Sequence, residues 1–193
     1  MGRELRGHVL EGPATGPVTA DVASDHVVFR GAWRGEVGFR DIAATAGGGK
    51  LALRFHGMLV ELDAGMQAAR VLERMRDSPS LHGKLGLRAG TAFATAGEVD
   101  AVFVEEARGL GATEAAPEAA DLVLLGVAAR DGLSDVERLA RNVEGRRALW
   151  VVYPKGGKPV READVLAAGR AAGLKDVKIV RFGATHTALK FVR

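Results

Sequence analysis

The stretch DLVLLGVAAR (121–130), followed after one helical segment by ALWVVYPKGGKP (148–159), decides the fold of the second half of this chain. Neither apolar run alternates with polar residues. A strand that is apolar on consecutive positions is buried on both faces, as strands of a parallel sheet covered by helices are. Between the two runs, Ser134-Asp-Val-Glu137 has the spacing of a capping box. The helix it opens is expected to run to about Glu144, with Val136, Leu139, Ala140 and Val143 inward and Gly145 as its stop.

Working outward, TAFATA (91–96) reads as another buried strand. Residues 98–110 read as a helix with Val99, Val102, Phe103 and Leu110 on its apolar side. Residues 111–120 leave room for one short strand or turn. After 148–159, a helix from about Glu162 to Gly173 turns Val165, Leu166 and Ala172 inward. Strands at 177–182 and 188–192 are joined by GATHT (183–187), a link short enough to require an antiparallel hairpin.

The front of the chain has another rhythm. Residues 13–63 break into short strands punctuated by Gly and Asx. KLALRF (50–55) alternates, with Leu51, Leu53 and Phe55 on one face, and MLVEL (58–62) pairs back after His56-Gly57. The segment 65–79 predicts a helix with Met66, Ala69, Leu72 and Met75 inward, Ala68 and Val71 beside them, and Pro79 as its stop. The expected architecture is α+β and α/β: a β-rich domain over 1–79, a small antiparallel β-barrel closed by a helix, and an α/β domain over 80–193. No flexible spacer separates them.

Composition narrows the function classes. The chain has 193 residues and no Cys, so disulfides, zinc–thiolate centres and thiol nucleophiles are excluded. The longest apolar run, 122–129, is far short of the ~20 residues that cross a bilayer. The first residues lack a signal-peptide pattern, so a cytoplasmic location is expected. The net charge of +3 is unevenly spread. Residues 79–137 carry 4 Lys/Arg against 10 Asp/Glu, and residues 138–193 carry 13 against 4. The five histidines show no metal-ligand spacing, and no serine sits in a GxSxG elbow. GGGK (47–50) lacks the spacing of a phosphate loop and precedes a strand, so it reads as a hairpin turn. PKGGKP (154–159) follows a buried strand, where open α/β sheets bind ligands. Lys155, Lys158 and the N–H groups of Gly156 and Gly157 are there to hold an anion, or only to keep the connection solvated.

On these residues the back of the chain resembles two things. The strand–helix–strand–helix order ending in a hairpin is similar to the back half of the class I methyltransferase-like (Rossmann-like) fold. With Asp121, Trp150, Pro154, Lys155, Gly173, Leu174, Asp176, Lys178, Lys190, Phe191 and Val192, residues 81–193 also resemble an uncharacterised bacterial family on that fold, which brings no activity. The first resemblance implies S-adenosylmethionine as a possible ligand, lined by Gly97, Glu98 and Asp121, with Tyr153 and Lys155 near a methyl acceptor. In that fold the tip of the last hairpin, with His186, can reach toward the same face, although Thr185–Thr187 read first as a polar turn.

The family's Gly-rich turn is missing: FATAGEVD (93–100) keeps only Gly97. An acid at the end of the second strand is hard to place, Glu114 being nearest. The cofactor half therefore reads as trimmed. The front part resembles a pleckstrin-homology-like fold. That likeness allows a phosphoinositide site at Arg30, Trp33, Arg34 and Arg40, but the balanced charge of 1–78 argues against a membrane role.

The sequence favours a non-catalytic binding or interaction protein with no cofactor and an unidentified protein partner. The alternative is an S-adenosylmethionine-dependent methyltransferase of unknown acceptor. Nucleic-acid binding through 138–193 is the weakest option.

Overall fold

The computed structural model describes residues 3–157, 159–183 and 185–193. The chain divides into two compact units, Met1–Ser80 and Leu81–Arg193.

Seven strands build the first unit: β1 (Arg3–Glu11), β2 (Gly16–Val22), β3 (His26–Gly31), β4 (Gly35–Gly38), β5 (Ala43–Gly47), β6 (Lys50–Phe55) and β7 (Met58–Asp63). They form one antiparallel sheet in the order β4-β3-β2-β1-β7-β6-β5. Strand β1, which the sequence reading left unassigned, is the central one, because it pairs with β2 on one side and β7 on the other. Its inward positions are Leu5, Gly7 and Val9. A Cβ on Gly7 would sit 1.9 Å from the Glu61 carbonyl oxygen, so glycine alone lets β7 lie that close.

The sheet curls over a core in which Phe29 stacks on Phe55 at 5.1 Å and Trp33 packs edge-on against Phe29 at 5.4 Å. Trp33 is thereby a half-buried core residue. Where a closed barrel was expected, the sheet is an open strip with β4 and β5 as its edges. GGGK forms the β5–β6 hairpin turn, with Gly48 and Gly49 at φ 58° and 81°.

Helix α1 (Ala68–Arg76) packs on β5 and β6 through Ala68, Val71 and Met75. Of the predicted apolar side, Ala68, Val71 and Met75 are buried and Leu72 is half-buried, while Met66 and Ala69 are exposed. Met66 is fully exposed because residues 65–67 form a 3₁₀ turn, which rotates the helical face by the time α1 begins.

The second unit runs α2 (Leu81–Leu85), β8 (Ala92–Gly97), α3 (Ala101–Gly109), β9 (Thr113–Glu114), β10 (Leu122–Gly126), α4 (Ser134–Ala140), β11 (Ala148–Pro154), α5 (Glu162–Ala171), β12 (Lys175–Phe182) and β13 (His186–Val192). The sheet order is β12-β13-β11-β10-β8-β9. Strands β9, β8, β10 and β11 are parallel, and β13 runs antiparallel to both β11 and β12. This is a mixed sheet with a terminal hairpin, as the sequence predicts.

Each face carries its own apolar cluster. One is built on Val123, Leu125, Leu149 and Val151 with Val136, Leu139 and Val165 of α4 and α5. The other is built on Phe93, Leu124 and Trp150 with Leu85 and Phe103 of α2 and α3. The Trp150 Nε1–H donates to the Leu85 carbonyl at 3.0 Å, which satisfies the one polar atom of that buried ring.

Two helix readings need correction. In α3 the buried stripe is Phe103 and Ala107, four apart, while Val102 and Leu110 face outward. Ser134 is the first residue of α4 and not its cap. The chain enters α4 from a 3₁₀ turn at Arg130–Leu133, so the Ser134 hydroxyl donates to the Asp131 carbonyl, and α4 ends at Ala140. It is α5 whose third residue, Asp164, reaches back to accept the Arg161 N–H at 3.0 Å.

A Cβ on Gly169 of α5 would lie 2.1 Å from the Phe191 ring. Gly169→Val is therefore expected to destabilise the second unit by about 1–3 kcal/mol through overpacking, read from denaturant unfolding curves.

Candidate functional site at the carboxyl end of the parallel strands

The chain leaves β8 for β9 on one side and returns to β10 on the other, so the strand order reverses at β8. Open α/β sheets present a crevice outside the strands' carboxyl ends at such a point. Gly97 and Gly126 end β8 and β10 and stand opposite each other. Gly97 has φ +65°, and a Cβ on it would lie 2.1 Å from the Gly126 carbonyl oxygen. A Cβ on Gly126 would lie 1.8 Å from the Glu98 carbonyl oxygen. The two strand ends thus cross backbone on backbone, with the Glu98 N–H donating to Gly126 at 3.3 Å. Two residues on, Asp100 caps α3 by accepting the Val102 N–H at 2.8 Å. The positive end of α3 therefore opens beside Gly97.

The carboxyl end of β11 lies two strand spacings from β8, roughly 10 Å across the sheet. Here the Tyr153 hydroxyl donates to Glu162 of α5 at 3.2 Å. Burial first, and then the Glu162 carboxylate, push this hydroxyl well above its ordinary value. Asp164 lies in the same first turn of α5. Its carboxyl is held down to about 2 by the side-chain hydrogen bond from Arg161, then by the Arg161 N–H, with the charge of Arg130 adding to them. The Lys155 N–H donates to the Thr185 carbonyl at 2.8 Å and its Nζ to the Gly183 carbonyl at 3.3 Å. His186 opens β13 opposite Pro154, with its Nδ1 2.9 Å from the Thr185 hydroxyl. Gly156 and Gly157 are exposed at φ 90° and 75°, and Lys158 lies outside the described residues.

The structure thus brings Gly97, Glu98, Tyr153, Lys155, Gly156, Gly157 and His186 to one end of the sheet. It does not bring Asp121 there. Asp121 precedes β10, at the amino end, where its carboxylate accepts the Ala92 N–H at 2.8 Å. Glu114 also misses the crevice. Strand β9 is two residues long and Glu114 stands level with Phe93, four residues short of Gly97, where it pairs with Arg108. The sequence reading missed Gly126, Glu162 and Asp164. Gly126 was visible as the glycine inside a buried run, and the two acids as first-turn residues of the helix after the loop.

No protein-family model and no curated protein matches the sequence. Solved structures do. PigF with SAH is 14% identical at TM-score 0.35, covering 53% of this chain and 56% of that one. A TehB-like SAM-dependent methyltransferase from Corynebacterium glutamicum is 13% identical at TM-score 0.38, covering 65% and 95%. Human N-acetylserotonin methyltransferase in complex with SAM is 14% identical at TM-score 0.42, covering 66% and 54%. The match spans little more than half of the PigF and human chains. Against the expectation of no cofactor, two of these structures are complexes, one with SAH and one with SAM.

Two predictions follow from the geometry. Gly126→Ala is expected to cost at least ~2 kcal/mol in unfolding experiments, because a Cβ meets backbone that cannot give way. Tyr153 is the one tyrosine of the chain. A raised native pKa means that its contribution to stability is complete below the unfolded value of ~10 and is lost as pH rises above it. Tyrosinate absorbance is expected to appear only with unfolding at alkaline pH, and Glu162→Gln is expected to bring the onset to lower pH.

Proposed function

We propose that the second unit binds S-adenosylmethionine in the crevice at Gly97 and Glu98, and that the chain is an S-adenosylmethionine-dependent methyltransferase. The observation that carries this reading is the reversal of strand order at β8, with a left-handed glycine and a helix N-terminus at the reversal. The residues suit the ligand's charge. S-adenosylmethionine has no phosphate and carries a sulfonium and an ammonium, so Glu98 and Asp100 attract it where they would repel a nucleotide. The N–H groups in the first turn of α3 that Asp100 does not cap favour its carboxylate. Glu98 is exposed, with no ion pair among the described residues, and takes the hydroxyl-binding role that Glu114 cannot reach.

Bound there, the group supplies an electrophilic methyl. The protein's own part is to orient an acceptor over β11, where the Tyr153 hydroxyl is held neutral as a hydrogen-bond donor and Glu162 is the nearby proton acceptor.

A second reading keeps the crevice as a binding site without transfer, in a protein that works through a protein partner. The two-residue β9 and the Arg108-held Glu114 favour it. In either case we read the first unit as pleckstrin-homology-like, two meanders (β1–β4 and β5–β7) joined through β1 and β7 with a following helix, and as the protein-contacting half.

Calorimetric and thermal-shift titrations with S-adenosylmethionine and S-adenosylhomocysteine test the proposal. Ligand at ~100 times its dissociation constant adds ~2.7 kcal/mol, a shift of several degrees. Glu98→Gln is expected to weaken binding roughly tenfold with an unchanged unfolding midpoint for the free protein. A flat response at millimolar ligand sinks the proposal. Saturable binding with no methyl transfer to any acceptor leaves the second reading.

A further inference from the structure

The opposite end of the same sheet carries a cavity of about 360 Å³. Its wall comes from the segments that lead into β8, β10 and β11 and from the end of β13: Thr91, Asp121, Ala148 and Lys190 all line it. Three cations converge on it from separate parts of the chain, Arg88 from the loop after α2, Arg146 from the turn before β11 and Lys190 from β13. Among the described residues none of the three has an ion pair. In the same unit, Arg108, Arg130, Arg138, Arg161 and Arg170 each lie within 4 Å of a carboxylate.

The arrangement is held in place from below. Lys190 lies over the Trp150 ring with Nζ 6.0 Å from its centroid, and that ring is pinned by its bond to Leu85. Lys178 stands directly across from Lys190 in the β12–β13 pair. Like charges placed opposite each other disfavour pairing. Lys178 relieves part of this by donating to the Lys84 carbonyl at 2.9 Å, and Lys190 remains aimed at the cavity.

The charge of the cavity sets its ligand. Three cations face one carboxylate, Asp121, which already accepts a hydrogen bond from the Ala92 N–H. The balance is +2 at neutral pH. We propose that this cavity binds the dianion of a small organic phosphate, a phosphomonoester, with Arg88 and Arg146 as the guanidinium arms and Lys190 as the point charge. The volume accommodates a phosphate with a sugar-sized group attached. The site lies at the amino end of the strands, so it is separate from the crevice at Gly97 and does not depend on what binds there.

The test is isothermal titration of the full chain with inorganic phosphate and ribose 5-phosphate, against ribose and against chloride at matched ionic strength. Saturable binding of both phosphates, tighter for the sugar phosphate, is expected. Arg88→Ala and Arg146→Ala should each weaken it roughly tenfold. Asp121→Asn keeps an oxygen for the Ala92 N–H, removes the one negative charge and should tighten binding several-fold. All three variants should keep the wild-type response to S-adenosylmethionine. No binding beyond the chloride control overturns the proposal, as does phosphate binding that survives both arginine substitutions. So does binding of a single-stranded oligonucleotide when neither small phosphate binds, because the cations would then serve a nucleic-acid surface.

Discussion

The parallel pairing of β10 with β8 and β11 is what the second unit is built around. Every side chain of 122–127 and 148–153 is buried, and both faces of these strands are apolar. Such strands are stable only when helices cover both sides, and right-handed crossovers place them there. Helices α4 and α5 cover one face, α2 and α3 the other. The amino and carboxyl ends of the strands are left as the open surfaces, and both candidate sites lie on them.

The two ends differ in electrostatic character. At the carboxyl end, Glu98 and Asp100 lie at the strand reversal, and farther along the sheet Arg130 and Arg161 share the Asp164 carboxylate. A cationic group with a carboxylate suits it. At the amino end the cations outnumber the carboxylates, and an anion is needed to balance them. The acidic stretch 79–137 and the basic stretch 138–193 supply opposite charges to one sheet. Part of that asymmetry cancels in the Arg138–Asp135 pair, and Arg146 and Lys190 of the basic stretch line the amino-end cavity.

Particular residues show where the sequence was legible. The runs 122–126 and 148–153 announced buried strands because β structure with two buried faces has no alternation to hide. The GATHT link forced a hairpin because five residues cannot make a crossover. Strand β1 went unseen because its inward face reads Leu5, Gly7, Val9 between charges, and a glycine that makes room for β7 carries no hydrophobic signal. Met66 was read into the stripe of α1, but a 3₁₀ turn at 65–67 shifts the angle at which the helix starts. Ser134-Asp-Val-Glu137 looked like a cap, and only the preceding turn decides that Ser134 is already inside the helix.

The sequence by itself determined the buried parallel strands, the terminal hairpin and the exclusion of thiol and zinc–thiolate chemistry. These follow from local pattern and composition. The tertiary structure decided which residues share an end of the sheet. Asp121 and Gly97 are both close to strand boundaries in the sequence, yet one precedes its strand and the other ends its own, so the sheet holds them at opposite ends. Gly97 and Gly126 are 29 positions apart and meet backbone to backbone. Arg88, Arg146 and Lys190 are distant along the chain and converge on one cavity. Strand direction and register set these distances, and both are properties of pairing between segments that no single segment carries.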